Sequence, residues 1–151
     1  MALKKGTKAP DFSLPATGNK NISLSKNLEG KALIIYFYPK DFTNVCTAEA
    51  CEFRDYFEDF RELSIPILGI SRDDIATHEK FKKANRLPFD LLSDVHGKVC
   101  KAYDALIPLI KMPKRITYLL NEKHEIEASF SEMFEAKGHI QNMLKKLNSK
   151  N

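Results

Sequence analysis

The sequence predicts an α/β protein: a central mixed β-sheet flanked by helices, with a β-hairpin at its N-terminal end. Nearly unbroken apolar runs at 32–38, 65–70 and 116–120 have the character of strands covered on both faces. Helical patterns separate these runs, and strands alternating with helices imply crossover connections and parallel pairing across the first of them. A pair of short alternating segments precedes the first run and reads as a hairpin.

Taken in order, Asp11-Phe12-Ser13-Leu14 and Asn21-Ile22-Ser23-Leu24 each alternate polar with apolar, and Gly18-Asn19 between them is a turn signal. The hairpin is therefore expected at 11–14 and 21–24. The run Ala32-Leu33-Ile34-Ile35-Tyr36-Phe37-Tyr38 ends at Pro39, as a central strand would. After it, Phe53, Phe57 and Phe60 recur at helical spacing among Glu52, Arg54, Asp55, Glu58 and Asp59, which predicts one amphipathic helix. The second run, 65–70, is followed by Asp73 and Asp74, N-cap candidates for a helix reaching about Asn85. A short helix is expected around 95–103. The third run, 116–120, and the stretch from Glu125 to Phe130 form an antiparallel hairpin at the far edge. Ile140, Met143, Leu144 and Leu147 mark the buried stripe of a C-terminal helix.

At 151 residues the chain has the length of one domain, and no repeat, linker or low-complexity tract divides it, so one domain is expected over 1–151. Hydrophobic residues at 43% and charged residues at 29% are globular rather than disordered composition. The net charge of +4 is spread as short basic pairs such as Lys82-Lys83, without the clustered face or aromatic interleaving of a nucleic-acid binder. The opening Met1-Ala2-Leu3-Lys4-Lys5-Gly6 leads into polar sequence, and no run approaches a membrane span. A cytoplasmic protein is expected, where thiols stay reduced unless they have redox or metal work to do. The three cysteines therefore carry information.

Cys46 lies a short loop beyond the first buried strand, in or near the first turn of the phenylalanine helix. Helix N-termini beyond the carboxyl ends of sheet strands offer unpaired N–H groups and partial positive charge, which favour a thiolate. An acidic thiol is expected, yet ionisation alone is a small lever. An ordinary thiol with a pKa of about 8.5 is about 3% ionised at pH 7, so complete ionisation raises a rate at most about 30-fold, or about 2 kcal/mol. Larger acceleration requires donors that hold the substrate and take up charge on its leaving oxygen. Cys51 stands five positions later. On a regular helix that spacing puts the two Cα atoms about 8.7 Å apart, whereas a disulfide needs them within about 7 Å. A Cys46–Cys51 bond would require this helix to unwind locally.

The stretch Phe37-Tyr38-Pro39-Lys40-Asp41-Phe42-Thr43-Asn44-Val45-Cys46-Thr47-Ala48-Glu49-Ala50-Cys51-Glu52-Phe53-Arg54-Asp55 resembles the active-site segment of peroxiredoxins, in particular the bacterioferritin comigratory protein or peroxiredoxin Q branch. It carries the Pro-x-x-x-Thr-x-x-Cys pattern of the superfamily and the Cys-x-x-x-x-Cys spacing of the branch. The similarity runs from Ala9-Pro10-Asp11-Phe12 through Ile70-Ser71 and Asp94 to Arg115-Ile116-Thr117-Tyr118-Leu119. This resemblance implies a thioredoxin-like fold and reduction of hydrogen peroxide and organic hydroperoxides without metal, flavin or haem. It implies that Cys46 is the peroxidatic residue, that Thr43 hydrogen-bonds the peroxide, that Pro39 shields the pocket, and that Arg115 stabilises the thiolate and polarises the substrate. It further implies that Cys51 resolves the Cys46 sulfenic acid as an intramolecular disulfide, that thioredoxin or a similar dithiol restores both thiols, and that the protein is a monomer. In place of the branch's Pro-Gly before the peroxidatic cysteine stands Asn44-Val45, which removes a glycine and adds a branched side chain.

Alternatives remain open at this level. A general thiol-disulfide oxidoreductase fits the architecture but lacks a Cys-x-x-Cys pair, and a redox sensor without turnover would use the same thiols. Structural zinc on Cys46, Cys51, Cys100 and His96 finds no knuckle spacing. Cys100 is expected as a packed core thiol or, second, as another resolving partner. Glu49 either supports the site or only favours the helix start. His78, His124 and His139 stand among polar neighbours and are expected at the surface.

Overall fold

The computed structural model describes residues 2–131 and 139–148. The N-terminal hairpin consists of β1 (Ser13–Ala16) and β2 (Lys20–Ser23), followed by the short helix α1 (Leu24–Asn27). The strands lie closer to the turn than expected. Gly18 and Asn19 both take positive φ, 83° and 56°, so the chain reverses within three residues and pairing begins at once with Ala16 opposite Lys20.

The run at 32–38 forms β3 (Leu33–Phe37), with every residue buried. The expected phenylalanine helix is two: α2 (Asn44–Asp55) and α3 (Phe57–Glu62), joined at Tyr56, whose φ of −100° and ψ of 10° interrupt the helix. Phe53 and Phe60 are buried and Phe57 is half-buried. Apolar spacing thus identified the inward face, whereas a break in the backbone leaves that spacing unchanged. Next come β4 (Ile67–Ser71) and α4 (Ile75–Asn85), capped by the Asp74 side chain on the Thr77 amide at 2.8 Å. Gly69 of β4 is required by crowding, since a Cβ there would lie 2.8 Å from the Tyr36 hydroxyl and from Leu91.

Strand β5 (Asp90–Ser93) was not anticipated: its four residues include two leucines between polar ends, too short to register as a run. Helix α5 (Lys98–Ala102) falls inside the expected short helix. Strand β6 (Ile116–Leu120) and strand β7 (Ile126–Phe130) form the far hairpin, and α6 (His139–Asn148) buries the expected Ile140, Met143, Leu144 and Leu147.

Among the described residues the sheet has seven strands in the order β2-β1-β5-β4-β3-β6-β7. The β3–β4 pair is parallel, as expected of the first crossover, the unanticipated β5 extends the parallel pairing beside β4, and the flanking pairs are antiparallel. Each face carries its own core. Leu33, Ile35 and Phe37 pack with the hairpin, Cys100 and Tyr103 on one side. Ile34, Tyr36 and Tyr38 pack with Cys46, Phe53, Phe60, Phe81 and the C-terminal helix on the other. No helix among the described residues is long and apolar enough to cross a membrane.

Candidate active site

The loop between β3 and α2 is held from below by a buried polar network. Asp41 accepts from the Tyr38 hydroxyl at 2.6 Å and lies 2.6 Å from His78 Nδ1, while its own amide donates to Asp73 at 2.9 Å. The second His78 nitrogen, Nε2, lies 2.9 Å from the Leu92 carbonyl oxygen. Above this anchor the chain turns through Phe42, which takes φ 65° and is exposed, and reaches Thr43 in extended conformation as the N-cap of α2. The helix begins at Asn44, so Asn44 and Val45 are ordinary helical residues and the missing glycine leaves no strain there. The left-handed residue is Phe42 instead.

Cys46 is the third residue of α2 and is 1% exposed. The amides of Asn44, Val45 and Cys46 precede the first bond of the helical ladder, Thr47 N to Thr43 O at 2.9 Å, so they direct partial positive charge at this turn. Arg115 stands immediately before β6. Because β6 pairs antiparallel with β3 through Ile116 and Phe37, the start of β6 lies beside the end of β3, and the guanidinium reaches the helix that follows β3. Arg115 Nη2 donates to Cys46 Sγ at 3.0 Å and Nη1 to Glu49 Oε1 at 2.7 Å. Glu49, three residues after Cys46, shares its helix face and is fully buried. Burial pushes the Glu49 carboxyl up to about 7, with Arg115 pulling the other way. Burial works against the Arg115 charge, but Glu49 and the Cys46 sulfur outweigh it and hold its pKa above the ordinary value. A sulfur in contact with a guanidinium at a helix start can carry negative charge, attack an electrophile, and leave a donor beside the group that departs.

The other expected site residues are placed as follows. Pro39 is half-buried where β3 ends, and Thr43 is exposed with its hydroxyl donating to the Lys40 carbonyl at 2.8 Å. Cys51 is half-buried on α2 and its thiol points to Asn85 Oδ1 at 3.6 Å. All three cysteines are free. Cys46 and Cys51 occupy one continuous helix, which gives the separation of about 8.7 Å expected of five residues. Cys100 is buried on the opposite face of the sheet, so it does not meet Cys46, and the thiols do not converge on a zinc site with His96. Among the described residues, the potential metal ligands that approach one another are Asp41, Asp73 and His78, and hydrogen bonds tie these together.

Two histidines expected at the surface are interior. His78 is fully buried between Asp41 and Leu92, and His124 is buried with Nε2 donating to the Leu28 carbonyl at 2.8 Å. Polar sequence neighbours misled here because each ring finds acceptors on segments remote in the chain. The side chain of His139 lies outside the described residues. A hint for His78 was its place three residues before Phe81 on the buried stripe of α4.

The chain matches the AhpC/TSA family over residues 5–129. The chain belongs to this family. It is a peroxiredoxin, a thiol-dependent peroxidase, with a thioredoxin-like fold. The peroxiredoxin is similar to the chloroplastic peroxiredoxin Q of Oryza sativa subsp. japonica, 40% identical over 148 residues that span 97% of this chain and 68% of the relative. It is similar to a Coxiella burnetii peroxiredoxin of the bcp type, 37% identical across 97% of this chain and 100% of the relative. Among solved structures it resembles the peroxidoxin BcpB of Mycobacterium tuberculosis, with a TM-score of 0.91, 31% identity and 99% of both chains covered. It also resembles the Xanthomonas campestris bacterioferritin comigratory protein, studied for alkyl peroxide reduction, with a TM-score of 0.86, 27% identity and coverage of 97% and 99%.

Proposed function

We propose that this peroxiredoxin reduces hydrogen peroxide and organic hydroperoxides through Cys46, that Cys51 resolves the product, and that thioredoxin or a similar dithiol recycles the enzyme. The observation that carries the reading is Arg115 Nη2 at 3.0 Å from Cys46 Sγ in the first turn of α2. In the first step the thiolate attacks the nearer peroxide oxygen, an S–O bond forms as the O–O bond breaks, and the alkoxide, or hydroxide from hydrogen peroxide, leaves and takes up a proton to become the alcohol or water. Arg115 stabilises the thiolate and then the departing oxygen. The alkyl peroxide activity named for the Xanthomonas campestris relative supports the inclusion of organic substrates.

Thr43 hydrogen-bonds the bound peroxide. To do so its hydroxyl turns from Lys40 O, which its exposed position at the helix entrance permits. Pro39, at the end of β3, keeps water from the sulfur. The sulfenic acid then condenses with the Cys51 thiol: the S–S bond forms, the S–O bond breaks, and water leaves. Both thiols return by exchange with the external dithiol. The protein acts as a cytoplasmic monomer of one domain over 1–151. No metal, flavin or haem takes part.

Thioredoxin-dependent peroxide turnover by the wild type, Cys46→Ser, Cys51→Ser and Cys100→Ser tests the scheme. Turnover is expected to vanish for Cys46→Ser, recycling to be impaired for Cys51→Ser, and Cys100→Ser to behave as wild type. Full turnover without Cys46 would overturn the mechanism.

A further inference from the structure

Asn85, at the end of α4, bonds to helix α2 by both its side chain and its backbone, and one of these bonds falls on the thiol that the scheme requires to move. The Asn85 side-chain amide donates through Nδ2 to the Phe81 carbonyl at 3.0 Å, one turn back on its own helix. That bond orients the amide, so Oδ1 is the atom that faces α2, and the Cys51 thiol donates to it at 3.6 Å. Asn85 is also the last residue of α4, before Arg86 turns into the left-handed region at φ 52°. Its backbone carbonyl is one of those a helix end leaves over, and Arg54 Nη1 donates to it at 2.8 Å. The positive guanidinium suits the negative end of α4. Arg54 lies three residues after Cys51 and shares its side of α2. One residue of α4 therefore grips the resolving thiol and the turn that follows it.

We propose that Asn85 is a positioning residue for resolution, holding Cys51 on the folded helix by its side chain and α2 by its backbone carbonyl through Arg54. The inference rests on the reading of Cys51 as the resolving thiol. Since the two Cα atoms are about 8.7 Å apart on the helix and a disulfide needs about 7 Å or less, Cys51 cannot reach the Cys46 sulfenic acid while both bonds persist. The condensation itself removes the hydroxyl of the sulfenic acid and the thiol proton as water and joins the two sulfurs. Releasing the latch precedes it. The latch leaves the first oxidation of Cys46 untouched and delays the second step, which lengthens the life of the sulfenic acid and its exposure to a second peroxide.

Rapid-quench single-turnover experiments with thiol alkylation and mass spectrometry separate the two steps. Asn85→Ala is expected to speed disulfide formation about fivefold, the scale of one neutral hydrogen bond, and Arg54→Gln by at least as much. Cys46 oxidation by hydrogen peroxide should stay at the wild-type rate in both, and the peroxide concentration that drives Cys46 to the sulfinic acid should rise in step with resolution. Arg54→Lys, which keeps a cation near the carbonyl, should return part of the wild-type delay. Thermal unfolding of each variant identifies any that has lost its fold, and the remaining variants then decide. If the folded Asn85 and Arg54 variants resolve at the wild-type rate while Cys51→Ser forms no intramolecular disulfide, the latch is refuted and the reading of Cys51 stands. If Cys51→Ser still forms the intramolecular disulfide at the wild-type rate, the premise fails, and the latch with it.

Discussion

Cys46 and Cys100 occupy equivalent places on opposite faces of the sheet. Each is the third residue of a helix that follows the end of a parallel strand, each is preceded by valine, and each is buried. Their partners differ in sign. Cys46 touches the Arg115 guanidinium at 3.0 Å, whereas the Asp94 carboxylate accepts from the Cys100 amide at 2.8 Å and lies beside its thiol. Burial first, and Asp94 second, push the Cys100 thiol far above the ordinary range. A helix start is therefore common to both cysteines, and what differs between them is the sign of the charge that the fold brings to the sulfur.

The sharpest way to break this comparison is to remove that charge. Arg115→Met should lower the second-order rate with hydrogen peroxide by about 10²–10³-fold, the loss typical of a donor to developing negative charge, and stopped-flow kinetics measure it. Arg115→Lys should recover only part, because a compact ammonium lacks the rigid planar fork whose two nitrogens meet the sulfur and Glu49 separately. A fall of less than about threefold for Arg115→Met would mean that the helix turn suffices and the contrast with Cys100 has another origin.

A smaller effect concerns Glu49, the carboxylate that orients the guanidinium. Its folded pKa is raised from 4.5 to about 7, so the stabilisation it contributes is complete below about 4.5 and is lost as pH rises to and through about 7. Glu49→Gln cannot ionise. Its melting temperature relative to wild type should therefore climb between about pH 4.5 and pH 8. A difference that stays flat or shrinks with pH would show that the Arg115 attraction outweighs burial at Glu49.

On the other face, Asp94→Asn should cost about 1 kcal/mol, the scale of a weakened helix cap, readable by urea unfolding, since Asp94 binds the amides of Val99 and Cys100. Peroxide turnover should be unaffected. The least effect is expected for native-state alkylation of Cys100, which should proceed only as fast as global unfolding, while Cys46 reacts in the folded protein. Equal labelling of the two would erase the distinction.

Much of this architecture was legible in the sequence because it rests on short-range rules. The apolar runs that became β3, β4 and β6, the buried stripe of α6, and the position of Cys46 at a helix start all follow from periodicity and caps within a few residues. Strand β5 escaped because four residues with two leucines are too brief for any period, and the break at Tyr56 escaped because it leaves the phenylalanine spacing intact. The polar sequence neighbours of His78 and His124 do not disclose their burial, since their hydrogen-bond partners come from distant segments.

The sequence by itself determined the α/β class, the family, and the thiol at the end of the first central strand, all of which depend on local pattern or on one contiguous motif. Only the tertiary structure decided which groups meet that thiol. Arg115 reaches Cys46 across 69 positions because β6 lies antiparallel beside β3. Cys100 is excluded because the sheet stands between the two sulfurs, each packed in the core of its own face. Strand order and the face on which each helix packs are set by the burial of the whole core, and no local window of sequence contains that information.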